Sequence, residues 1–206
     1  MTEAAVGGRR ANRRGIQSRE SMLEAAIASL ATGDPAAVSG NRIARDIGAT
    51  WGVIKYQFGD IDGLWAAVLR YTADKRGDLP AGIKPDGTLY ERVAAMIDAM
   101  AGGLRRPESL AIETLRAALP REHAELERDY PRTAAELASW KPNWDKACQR
   151  AFADMDLDPD KVRQVAALIP AAMRGITSER TLGTYGDLDD ALKALTGGIV
   201  AYLECP

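Results

Sequence analysis

At 206 residues, 46% of them hydrophobic, the chain is long enough to bury a core in one or two domains. Charged residues at 27% and a net charge of −2 give no global reason to expect nucleic acid, although net charge averages over domains. One histidine, His123, and two distant cysteines, Cys148 and Cys205, exclude paired-histidine and Cys/His zinc sites and suggest no disulfide framework.

No metal site and no cofactor is expected. No apolar run reaches the ~18 residues of a membrane span. The polar, arginine-rich start MTEAAVGGRRANRRG lacks the apolar stretch of a secretory signal. A cytoplasmic protein is expected, with no membrane partner.

In chain order, nearly every segment has helical period and almost none alternates as a strand does. Residues 18–32 place Met22, Leu23, Ala26, Ile27 and Leu30 on one face, with Ser18 as N-cap and Gly33-Asp34-Pro35 as the stop. A short helix over 40–47 follows, capped by Ser39, with Ile43, Ala44 and Ile47 inward and Gly48 at its end. Another covers about 50–56, and a longer one spans 61–76 with Leu64, Trp65, Val68 and Leu69 inward. Glycines and prolines at 77–87 mark a loop or hinge.

Helices are then expected over 88–104 and 107–118. Pro120 and Pro131 interrupt, and a long helix follows over 132–155, where Pro142 predicts a kink or break. The last two helices fall at about 159–178, with a further kink expected at Pro170, and about 187–203. The expectation is an all-α protein of about nine helices: an N-terminal three-helix domain, then a larger C-terminal helical bundle.

Residues 40–59 carry the most information. Ile43 and Ile47 share a helix face, and Ala44 beside them lets a second helix cross closely. Gly48 suits the positive φ of a sharp turn, and Ile54 supplies the apolar contact of the next helix. This is the pattern of a helix-turn-helix. Two short core helices of a bundle would satisfy the same spacing.

On that pattern residues 18 to about 70 resemble the N-terminal domain of the TetR family of transcriptional regulators. Ile43, Ala44, Gly48, Gly52, Ile54, Phe58 and Leu64 match the family's framework positions. Two positions depart from it. Lys55 stands where the family usually has a phosphate-binding tyrosine, and Ile61 stands where it often has a cation at the start of the fourth helix. Lys55 can still bind phosphate as a point charge, whereas Ile61 loses a phosphate contact.

The charge distribution agrees with a DNA-binding N-terminal end. Residues 1–78 carry 11 Lys and Arg against 9 Asp and Glu, a net of +2, and the remainder nets −4. Arg9, Arg10, Arg13, Arg14 and Arg19 lie in a stretch without acids, either an arm for a minor groove or a solvated tail. The candidate DNA-binding residues are Ser39, Asn41, Arg42, Thr50, Trp51, Gly52, Val53, Lys55, Tyr56 and Gln57. Thr50 and Gln57 can bond base edges, Val53 can meet a thymine methyl, and Gly52 permits close approach. Trp51 has two readings, contact with DNA or packing on Arg45 or the core. Tyr56 similarly donates to a phosphate or belongs to the core.

The resemblance implies that residues 1–17 form a flexible basic arm, 18–76 the DNA-binding domain, and 77–206 a domain for effector binding and dimerisation. It implies a homodimer through the last two helices, double-stranded and palindromic operator DNA as one partner, and a small-molecule effector as another. Met96, Met100, Leu115, Trp140, Trp144 and Met173 are the candidate effector residues, and an apolar stripe of plain core reads the same way. Their apolar bias points to a hydrophobic effector. His123 and Glu113 are candidates for orienting a polar ligand, although the charged stretch around His123 suits a surface position.

The function expected is a sequence-specific DNA-binding regulator, most simply a repressor. An all-helical enzyme or a helical protein-binding adaptor is the alternative. Against an enzyme, the chain has no G-x-S-x-G, no Cys/His pair and no phosphate loop.

Overall fold

The computed structural model describes residues 19–76, 83, 86–184 and 187–205. Ser18 and residues 1–17, the expected cap and basic arm, lie outside these, as does most of the expected 77–87 loop. Among the described residues there are ten α-helices and one short 3-10 turn, so the all-α expectation holds with one helix more than the pattern indicated.

The first helix, α1, covers residues 19–30 and buries the predicted face of Met22, Leu23, Ala26, Ile27 and Leu30. A 3-10 turn at Pro35–Ala37, capped by Asp34, leads into α2 (Gly40–Ile47), α3 (Trp51–Phe58) and α4 (Ile61–Arg76). There follow α5 (Leu89–Gly103), α6 (Pro107–Ala118), α7 (His123–Asp129), α8 (Pro131–Ala151), α9 (Pro159–Thr181) and α10 (Leu188–Glu204).

The helix not anticipated is α7. Its sequence, HAELERD, offers a single large apolar residue, so apolar periodicity gives no signal there. α8 runs unbroken through Pro142, and α9 through Pro170. α8 stops at Ala151, short of the expected 155. There Arg92 Nη1 of α5 donates to the Ala151 carbonyl at 2.9 Å, and its guanidinium also pairs with Asp154, satisfying groups that end the helix.

The chain divides into two compact units. One is formed by the residues up to Lys75 together with Pro107–Glu136, the other by Arg76–Arg106 together with Leu137–Pro206. This division by packing differs from a division at residue 77, because α6, α7 and the start of α8 belong with the N-terminal helices. In the first unit α6 packs on the 3-10 turn, and α2 packs on α3. In the second unit α5, α9 and α10 pack on one another around Val93, Met96, Ile97, Ile169, Met173 and Ile199. Burying each such side chain contributes on the order of 1.5–3 kcal/mol against full exposure. No helix among the described residues is long and apolar enough to cross a membrane.

Candidate nucleic-acid interface

Local chemistry fixes both helices of the motif. The Ser39 hydroxyl caps α2 by accepting from the Arg42 amide at 3.2 Å. Gly48 ends the helix at φ 69°, in the left-handed region that favours glycine, and the Ala49 amide closes the turn on the Ala44 carbonyl at 2.9 Å. Thr50 caps α3 in the same way, accepting from the Val53 amide at 3.4 Å. Ile54 and Phe58 are buried and anchor α3. The Arg19 guanidinium lies over the Phe58 ring, 4.9 Å from its centroid, so the last of the N-terminal arginines secures this anchor.

The remainder of α3 faces outward. Tyr56 is 87% exposed and Val53 40% exposed, and Gly52 and Lys55 are exposed beside them. Gln57 is half-buried. Asn41 is exposed at the start of α2, whereas Arg42 is half-buried and held by acids. Arg42 Nε reaches Asp46 at 3.1 Å, and a terminal nitrogen lies 3.7 Å from Asp34. The Ser29 hydroxyl, more than Arg42, holds the Asp46 carboxyl below its ordinary range. Two of the ten candidates, Ser39 and Thr50, thus have their side-chain oxygens engaged as caps, and Arg42 has its charge offset. The exposed candidates are Ser39, Asn41, Thr50, Gly52, Val53, Lys55 and Tyr56, of which all but Ser39 and Thr50 are free of a capping role.

Trp51 is not free in solvent. It is half-buried, with its ring over Gly40: a Cβ built on Gly40 would sit 2.8 Å from Cζ3 and 2.9 Å from Cη2. Near position 61 the structure places a cation that the sequence did not reveal, engaged by acids. Arg132, in the first turn of α8, brings its guanidinium to the α3–α4 junction. It donates to the Phe58 carbonyl at 3.4 Å, to Asp62 at 3.1 Å and to Asp60. A side chain at Gly63 would meet that guanidinium, with a Cβ 2.6 Å from its nitrogen.

Of the six effector candidates, Met96 and Met173 lie in one core cluster of the second unit, with Met100 and Trp144 packed against it. The Trp144 indole donates to the Ala166 carbonyl at 2.6 Å. Leu115 is buried in the first unit and does not join them. Trp140 stands outside the cluster, under the Arg76 guanidinium at 5.4 Å, with its buried indole N–H unpartnered. His123 and Glu113 are both exposed, and His123 sits 3.3 Å from Glu127 on the surface of α7. The sequence reading also missed an open cleft of about 500 Å³ between the end of α8 and the start of α9, lined by Arg150, Phe152, Met155, Leu157 and Val162 among others.

No family model matches the chain, and no curated protein matches it. Solved structures do. A transcriptional regulator from Rhodococcus sp. Rha1 is similar over 91% of this chain and 98% of its own, with a TM-score of 0.69 at 18% identity. A TetR-family transcriptional regulator from Streptomyces coelicolor is similar over 90% and 80%, with a TM-score of 0.65 at 15% identity. The multidrug binding protein EbrR, solved with imidazole, is similar over 91% and 96%, with a TM-score of 0.62 at 20% identity. At these identities the likeness is one of fold: the chain has the fold found in TetR-family transcriptional regulators.

Proposed function

We propose that the chain is a TetR-family transcriptional regulator that binds double-stranded DNA with α3 and acts as a homodimeric repressor. The observation that carries this reading is the outer face of α3. Tyr56 and Val53 are held in water on a helix whose other face is locked by Ile54 and Phe58, and Lys55 and Gly52 lie among them. A surface helix that merely packed would turn such residues inward. One that enters a major groove needs them outside, with a glycine where the backbone comes close.

In this reading Lys55 and Tyr56 meet phosphates, and Val53, Gln57 and the Thr50 hydroxyl proton meet base edges. Asn41 and Arg42 at the start of α2 contact the backbone. Residues 18–76 form the DNA-binding domain and 77–206 the domain for effector and partner.

Dimerisation through α9 and α10 is supported by an uncovered face. Ala167, Leu168, Ala171 and Gly175 on α9 are exposed, as are Ala194, Gly197, Gly198 and Ala201 on α10. Small residues of this kind let helices of two copies approach closely, and two copies present two recognition helices to a palindromic operator. The effector proposed is small and hydrophobic, bound near Met96, Met100, Trp144 and Met173. It releases the operator by favouring the dimer state that binds DNA less well.

Selection from a random duplex library, followed by gel-shift titration of the selected sequence against a scrambled one, tests the reading. The expected result is a palindromic sequence bound at least about 10³-fold more tightly than the scramble. Equal binding to both would sink it.

A further inference from the structure

Gly40 begins α2, and it is not there for its backbone. The left-handed glycines among the described residues are Gly33, Gly48, Gly59 and Gly183. An alanine in the helical conformation of position 40 would stabilise α2 by up to about 1 kcal/mol relative to glycine. What glycine supplies there is space. The Trp51 ring occupies the volume a Cβ would need, approaching to 2.8 Å, well inside the ~3.5–4.0 Å of a relaxed carbon–carbon contact. Any side chain at position 40 therefore displaces the indole.

The two residues occupy matching positions. Gly40 is the first residue of α2, beside the cap Ser39 and the exposed Asn41, and Trp51 is the first residue of α3, beside the cap Thr50. Their contact ties together the N-terminal turns of the two helices. In the DNA-binding reading these same turns have different tasks, since the start of α2 meets the phosphate backbone while α3 meets the bases.

We infer that Trp51 is a positioning residue: seated on Gly40, it sets the spacing between the backbone-contacting turn of α2 and the base-reading face of α3, and so determines which base pairs α3 reads. Successive phosphates of a strand rise about 3.4 Å along the duplex axis, so a slip of one or two ångströms between the helices misaligns one set of contacts while the other is made. An aromatic ring is suited to this task because it is large and has few rotamers to lose. This inference rests on the DNA-binding reading and assigns the pair a part in specificity.

The test compares wild type, Gly40→Ala, Trp51→Ala and the double variant. Trp51→Leu, which removes the ring but keeps apolar bulk, stands in for Trp51→Ala, with the same expected outcomes, where Trp51→Ala does not fold by circular dichroism. Each protein is put through sequence selection, and its affinities for selected and scrambled duplexes are measured. Gly40→Ala and Trp51→Ala are each expected to lower the ratio of specific to non-specific binding at least tenfold and to blur the selected sequence at several positions. Non-specific affinity should stay within about twofold, because the exposed cation Lys55 is untouched. The effects are coupled: in the Trp51→Ala background, Gly40→Ala should change the ratio less than twofold.

Three outcomes overturn the inference while the DNA-binding reading survives. Both single variants melt lower yet select the wild-type sequence at the wild-type ratio. Trp51→Ala relaxes a single base position while Gly40→Ala changes nothing, which marks a base reader. Gly40→Ala has the same effect with and without the indole. A wild-type protein that selects no sequence overturns the DNA-binding reading, and this inference with it.

Discussion

The Asp62 carboxylate caps a helix far from it in sequence. It accepts from the Arg132 amide at 3.0 Å and the Thr133 amide at 2.9 Å, the first turn of α8, 70 and 71 residues away along the chain. The Arg132 guanidinium then turns back to Asp62 at 3.1 Å and to the Phe58 carbonyl at the end of α3. One buried acid thus ties the start of α8 to the end of α3 and the first turn of α4. Removing it strands two helix-end amides and takes one of the guanidinium's two carboxylate partners. Asp62→Ala is expected to cost about 2 kcal/mol, the range for hydrogen bonds to charged groups, read as a lower urea midpoint. A change below about 0.5 kcal/mol would show the cap to be replaceable by water.

The same carboxylate gives a pH signature. Burial acts to raise its pKa, but the Thr133 side chain and amide, and the Arg132 amide and guanidinium, outweigh burial and hold it below the ordinary value. Unfolded aspartate titrates near ~3.9. With the folded value lower, the stabilisation is fully present above about pH 4 and is lost as pH falls through the folded value. Asp62→Asn cannot titrate, so its stability should fall less steeply than wild type below about pH 4. Parallel curves from urea melts across the acid range would rule this out.

Lys55 and Thr50 are expected to behave differently, although both lie on the candidate interface. Lys55 is exposed on α3, so Lys55→Ala should weaken binding to all duplexes alike and flatten the salt dependence by about one unit of slope. Thr50 holds the cap of α3, so Thr50→Ala should first lower stability by about 1 kcal/mol, and Thr50→Ser should restore it. Thermal melts of Thr50→Ala and Thr50→Ser, beside salt titrations of Lys55→Ala, separate the roles. A salt slope unchanged in Lys55→Ala removes that residue from the phosphate contacts.

Gly197 lies on the uncovered face of α10, where an added Cβ meets nothing within 4 Å. Gly197→Arg should leave the protomer folded while placing charge at the centre of the proposed dimer contact. Light scattering is expected to report a monomer, with specific DNA affinity down at least about tenfold because one half-site alone is engaged. A persistent dimer would move the interface elsewhere.

The two cysteines should separate cleanly. Burial, and to a lesser extent Asp145, pushes the Cys148 thiol up to about 12, while Cys205 is exposed. The thiolate is the reactive form. A disulfide reagent at pH 8 should modify one thiol per native chain, lost in Cys205→Ser, and two after denaturation. Two fast thiols in the native protein would contradict the burial of Cys148.

The legible part of the fold was what short-range chemistry dictates. Ser39 and Gly48 are a cap and a stop on one short helix, and Ile43, Ala44 and Ile54 have the spacing of two crossed helices, whereas the cap made by Thr50 was not read. The same rules failed at α7, where a charged sequence gives no apolar period, and at the end of α8, which Arg92 of another helix terminates. The Arg132–Asp62 link and the seat of Trp51 on Gly40 depend on which helices meet, and spacing does not encode that. Leu115 is buried in one unit and Met96 and Met173 in a cluster of the other for the same reason: apolar residues at helical spacing say that a core exists, and tertiary packing decides which core.

α8 begins in one compact unit and continues in the other, and Pro142 sits within it. Proline contributes no amide to the ladder, so the helix is more compliant there than on either side. Mechanically, the ten residues back to Arg132 form a stiff arm about 15 Å long on a soft joint, at 1.5 Å of rise per residue. A flexure of about 10° at that joint swings the tip by about 2.6 Å, which exceeds the tolerance of a hydrogen bond. The tip carries the guanidinium that grips the last carbonyl of α3, so the straightness of α8 bears on that grip.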